Sequence, residues 1–119
     1  MRYGVLLLTF IVLLGTPLVL GEETKETGIL MDRACGQGMA ANAEKVKKHG
    51  PVCALMESCK QSGFGLILDG RFLSFDETGN KMALVIFQNT ESQNNIQVEV
   101  TGDFSGDKVK VKRIVESTQ

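Results

Sequence analysis

The chain has a single histidine, three cysteines and two prolines among its 119 residues. With one imidazole, that of His49, every histidine-dependent mechanism has one candidate, and an H-E-x-x-H zinc protease motif is excluded. No C-x-x-C pair occurs, which argues against a disulfide oxidoreductase. A nucleophile elbow and a phosphate-binding loop are also missing. Asp76, Glu77, Asp103 and Asp107 are acids in turns, where Asp belongs for conformational reasons, and their spacing is not that of a calcium loop. The chain has no internal repeat and no low-complexity tract. These absences together read as a protein that is not an enzyme. An excess of one charge is lacking too: the formal net charge is −1. Nothing in that balance recruits nucleic acid or an anionic membrane surface.

The N-terminus does have a long apolar run. Arg2 precedes a stretch from Val5 to Leu20 that is broken only by Thr9, Gly15, Thr16 and Pro17. Val19-Leu20-Gly21 then supplies a cut site, and Glu22-Glu23 opens a polar segment. The run lies close to the ~17 residues at the lower limit of a membrane span. A cut site at its end makes it a signal peptide over residues 1–21, in contact with the membrane only during export. No Cys opens the mature chain, so a lipid anchor is not expected. Residues 22–119 remain as one domain, periplasmic or secreted, too small to bury a thick core without help from a staple.

Along that domain, Gly28–Asp32 reads as a first strand, Cys35-Gly36-Gln37-Gly38 as a glycine-bracketed turn, and Met39–Lys48 as a helix with Met39, Ala43 and Val46 on one side. Gly50-Pro51 ends that helix and starts another, Pro51–Gln61. The period then changes to two. Leu66–Leu68, Asp69-Gly70 and Arg71–Phe75 form a hairpin with a type I′ turn. Lys81–Asn89 reads as a third helix, although Val85-Ile86-Phe87 suits a strand equally. Ile96–Thr101 and Val109–Lys112 alternate as strands, and the second slips at Arg113 as a bulge would make it. The fold class is therefore mainly β with a helical insert at about 35–62, an α+β chain ordered β1-(α-α)-β2-β3-α-β4-β5. That is the order of a small five-stranded OB-like barrel; an open sheet with helices on one face is the alternative. Phe72, Phe75, Phe87 and Phe104 are assigned to the core. Lys108, Lys110, Lys112 and Arg113 are read as a solvated stripe guarding an edge strand.

Chemistry concentrates at Cys35, His49, Cys53 and Cys59, and three readings stand. In the first, exported cysteines form one disulfide and leave one thiol over. Cys53 and Cys59 on one regular helix would sit ~9 Å apart along its axis, too far to bridge. Cys35 is therefore paired with Cys53 or Cys59, closing a loop worth ~3 kcal/mol in the chain-entropy model. In the second, three thiolates and the imidazole hold zinc or copper, with Met56 as a conceivable thioether donor but better suited to core packing. In the third, Cys53 near a helix N-terminus is a reactive thiol assisted by His49. His49 by itself, beside a Gly-Pro break, reads as a solvent-exposed loop residue. The functional expectation is an exported binding or structural module, for a small ligand or an envelope protein, stabilised by a disulfide at Cys35. Metal handling is the alternative.

The segments Gly28-Ile-Leu-Met-Asp-Arg-Ala-Cys35, His49-x-x-x-Cys53-Ala-Leu-Met-x-x-Cys59, Ser62-Gly-Phe-Gly, Asp69-Gly-Arg-Phe and the Thr101-Gly102 turn resemble a group of small exported bacterial proteins of uncharacterised function. The likeness runs over nearly the whole mature chain. It implies a bacterial envelope location and an OB-like core, and no activity.

Overall fold

The computed structural model describes Gly15 and residues 23–117. The expected leader, residues 1–21, lies outside the described residues, Gly15 excepted. The elements run β1 (Thr24–Asp32), α1 (Arg33–Met39), α2 (Ala43–Lys48), α3 (Pro51–Ala54), α4 (Glu57–Gln61), β2 (Phe64–Leu68), β3 (Arg71–Phe75), α5 (Glu77–Asn89), β4 (Gln97–Ser105) and β5 (Lys108–Glu116). The class is α+β with one five-stranded mixed sheet. The order of strands and the helix between β3 and β4 agree with the reading of the sequence.

The hairpin β2-β3 turns at Asp69 and Gly70, with φ of 50° and 75°. Positive φ at both central positions is what the Asp-Gly pair supplies. β1 pairs antiparallel with β2 on one side and with β4 on the other. β4 pairs antiparallel with β5, and β5 meets β3 in parallel at two residue pairs only, Ser74 with Lys108 and Phe75 with Val109. The order β1-β2-β3-β5-β4 therefore returns to β1. Thr101 pairs with Arg113 and Gly102 with Val111, so Lys112 is the extra residue of a bulge, one position before the slip seen in the sequence. A Cβ at Gly102 would fall 2.1 Å from the Lys110 carbonyl oxygen, so the bulge requires glycine there.

The principal core lies inside this circuit. Leu30, Leu66, Leu73, Val98, Val100, Val109 and Val111 line it, and Ala83 and Phe87 of α5 pack against them. Phe64 and Phe87 meet with ring centroids 5.3 Å apart. Phe75 is buried as expected, whereas Phe104 is half-buried at its margin and Phe72, also half-buried, packs against a separate cluster. The side chain of Asp76 fixes α5: its Oδ1 accepts from the Gly79 N–H and from the Val111 N–H, each at 3.1 Å. The helix thus begins four residues before Lys81, in a stretch that reads as a polar connection until its cap is recognised.

A second, smaller core lies on the other face of β1 and β2, where Met31, Ile67 and Val46 are covered by α1 and α2. The insert differs here from its sequence reading. Cys35–Gly38 is not a turn but part of α1, because the Asp32 carboxylate caps that helix. Gly36 is there for close approach, since a Cβ would lie 2.5 Å from the Phe72 ring. The helix expected over Met39–Lys48 breaks at Ala40–Asn42, and Asn42 caps α2 through the Lys45 N–H at 3.1 Å. The helix expected over Pro51–Gln61 is likewise two short ones, interrupted at Leu55 and an extended Met56 (ψ 141°). The insert thus holds four short helices rather than two. Lys108, Lys110, Lys112 and Arg113 are exposed as expected; β5 is flanked by β4 along its length but paired with β3 only at Lys108 and Val109.

Replacing Asp76 by Ala removes the α5 cap and leaves the Val111 amide without its acceptor. We expect a loss of about 2 kcal/mol, read as a lowered urea midpoint at unchanged slope.

Candidate functional site

Two hydrogen bonds connect the first turn of α1 to the end of α4, and a third ties that end back onto the helix. The Arg33 N–H donates to the Gly63 carbonyl (2.8 Å), the Ala34 N–H to Ser62 Oγ (3.0 Å), and Ser62 Oγ–H to the Cys59 carbonyl (2.6 Å). This lacing brings Cys35 against Cys59, 4.2 Å away. Asp32, wholly buried at the end of β1, completes the group: one carboxylate oxygen and the two sulfurs all lie within 4.8 Å of one another.

The Asp32 carboxylate is engaged at both ends. Oδ2 accepts the Cys35 N–H at 2.9 Å, and Oδ1 lies 2.7 Å from His49 Nε2. Burial alone pushes the acid's pKa up. The hydrogen bonds from His49 and the Cys35 amide, with the charge of the imidazole, outweigh it and hold the pKa below the ordinary carboxylate value. Cys35 moves the other way. Burial, then the neighbouring Asp32 charge, then Cys59 push its thiol up to about 12. At neutral pH it is a protonated thiol, the opposite of an activated nucleophile.

His49 is not the exposed loop residue that its Gly-Pro neighbours suggest. It is 5% exposed, held at the end of α2 by its own N–H on the Val46 carbonyl and by the Asn95 N–H on its carbonyl. Gly50, next to it, lies so close to the 93–94 backbone that a Cβ would fall 2.0 Å from the Gln93 carbonyl oxygen. Cys53 stands apart: it is exposed on α3 and does not join the group. Met56, assigned to the core from sequence, is 58% exposed instead, since the break between α3 and α4 turns it outward.

The expected disulfide is not formed: Cys35, Cys53 and Cys59 are free thiols. Of the expected zinc or copper set, Cys35 and Cys59 come together, His49 reaches them only through Asp32, and Cys53 is replaced by Asp32. Asp32 was missed because Cys35–Gly38 reads as a turn. The signal for it is an Asp three residues before a Cys at a strand-to-helix junction, the spacing of a helix cap.

Elsewhere, a pocket of about 760 Å³ opens beside the β3–β5 contact, where Phe72, Phe75 and Val109 meet Arg33, Lys108 and Asp103. None of the cluster residues lines it. Among the described residues, no helix is long and apolar enough to cross a membrane.

Comparison of the chain with protein-family models, curated proteins and solved structures gave no match. The likeness to small exported bacterial proteins therefore rests on its motif residues alone.

The arrangement orders the three thiols by reactivity. Iodoacetamide at pH 7.5 should label exposed Cys53 first, with Cys35, whose thiol is pushed up to about 12, and buried Cys59 both at least about tenfold slower. Peptide mapping over a time course checks this, and equal rates at all three positions would contradict it.

Proposed function

We propose that this chain is an exported, non-catalytic metal-handling module: an OB-type barrel carrying a cation site of Cys35, Cys59 and Asp32. The observation that carries the reading is the convergence of two thiols and a buried carboxylate within 4.8 Å. Two sulfurs and an oxygen suit zinc, and thiolates also accept copper(I). Three protein donors leave a fourth tetrahedral position free, as in zinc sites that exchange a ligand rather than closed structural ones. The high thiol pKa of Cys35 does not oppose this. A bound dication reverses the local electrostatics that keep the proton on, and a coordinating thiol is deprotonated outright. Uptake of one ion by two thiols and a carboxylate then releases two protons.

Supporting the barrel are the return of the strand order to β1, the parallel β3–β5 contact and the helix between β3 and β4. Supporting export is the leader-like run ending at Gly21, which puts the mature chain in the periplasm or the medium.

One observation favours a second reading, a structural module stapled by a Cys35–Cys59 disulfide: the two cysteines lie 4.2 Å apart. Forming that bond removes two protons and two electrons, taken up by a disulfide-bearing oxidase of the compartment.

Native mass spectrometry of the mature protein, isolated from the producing cells without reductant, separates the two. An added zinc or copper mass with three alkylatable thiols after denaturation is the expected result. A mass two hydrogens short, with only Cys53 alkylated, replaces the metal reading with the disulfide one.

A further inference from the structure

His49 is as buried as the core, yet it is separated from the two sulfurs by Asp32. The order across the site is sulfur pair, carboxylate, imidazole. The geometry points to His49 as the positioning residue of a zinc(II) site, aligning the Asp32 carboxylate as the oxygen donor beside Cys35 Sγ and Cys59 Sγ. This builds on the metal reading above, and names both the ion and the residue that prepares the site for it.

A free carboxylate turns about its last bond, and that freedom is lost when it coordinates. In Asp32 the rotation is already stopped at both oxygens, by the Cys35 amide at 2.9 Å and by His49 Nε2 at 2.7 Å. The remaining lone pairs stay available to a cation, and the ordering cost is met before the ion arrives. Outer partners of this kind raise ligand basicity and hold ligand orientation at metal sites. A fixed oxygen donor beside two thiolates also favours the divalent ion, since copper(I) gains little from a carboxylate.

The imidazole's far side supports the assignment. With Nε2 engaged by Asp32, Nδ1 is the ring's other polar atom, and it is buried with no hydrogen-bond partner. A buried polar atom left unpaired is costly, so packing alone does not explain a histidine here. What the position gains is the bond to Asp32.

The test uses the mature chain, reduced and stripped with a chelator, then titrated with zinc in competition with a chromophoric chelator. Cobalt(II) spectra of the same proteins count the thiolates through sulfur-to-metal charge transfer. Wild type should bind one ion with two thiolates. H49A should bind zinc about 10–100-fold more weakly, with the charge-transfer intensity unchanged and the d–d bands displaced. H49Q, whose amide can donate to Asp32, should recover part of the loss, and D32A should lose at least as much as H49A. H49A binding as tightly as wild type overturns the positioning role and leaves the metal reading intact. A wild type that takes up neither zinc nor cobalt overturns the metal reading itself. If circular dichroism shows H49A unfolded, H49L, which fills the space without a donor, is compared with H49Q. Equal affinities of those two then overturn the role.

Discussion

A carboxylate without water must find partners for its charge, and Asp32 finds them in three separate parts of the insert. It takes the amide of Cys35 on α1 and the imidazole of His49 after α2, and it stands beside Cys59 on α4. Neither α1 nor α2 is long enough to be stable in isolation, and α3 and α4 are shorter still. What orders them is attachment: to Asp32 at the end of β1, to the small core of Met31, Val46 and Ile67, and to the hydrogen bonds around Ser62. The cluster is therefore more than a feature placed on the insert. It is a large part of why the insert has one conformation.

The arrangement also keeps two features of the domain apart. The Asp32 cluster lies at the end of β1, where α1, α4 and the residue after α2 meet. The 760 Å³ pocket lies at the β3–β5 contact, and its lysines, aspartates and phenylalanines present both signs of charge. Chemistry and the sheet opening are thus different places on the domain, linked through Phe72, which packs over Gly36 of α1 and also lines the pocket.

The β-rich half was legible in the sequence because its signals are local. Asp69-Gly70 specifies a turn by backbone angle, and the alternation through Ile96–Thr101 and Val109–Lys112 specifies which face is buried. The helical insert was less legible for a physical reason. Its helices are four to seven residues long, too short for a 3.6-residue period to repeat. Their limits are set instead by side chains that read as ordinary polar residues, Asp32 and Asn42. The same blindness hid Asp32 from the candidate site. Cys35 was legible as a partner of Cys53 or Cys59, with the choice left open, because a regular helix would keep Cys59 away from Cys53. That helix turned out to be broken, yet Cys53 still stands apart, now because the α3 surface faces solvent. His49 was found for its chemistry and misjudged for its burial, since a Gly-Pro neighbour reports the backbone and says nothing about what packs on the ring.

β1 is paired with β2 within forty residues and with β4 only some seventy residues onward. A chain emerging from its N-terminus thus presents first the strand whose second neighbour arrives near the end. Until residues 97–105 appear, β1 has a bare side and the ring cannot close. Closure is a late event, set by topology and slow by the entropy of joining distant segments. The thiols, by contrast, are all delivered before residue 60, so sulfur chemistry has its partners at hand while the sheet is still incomplete.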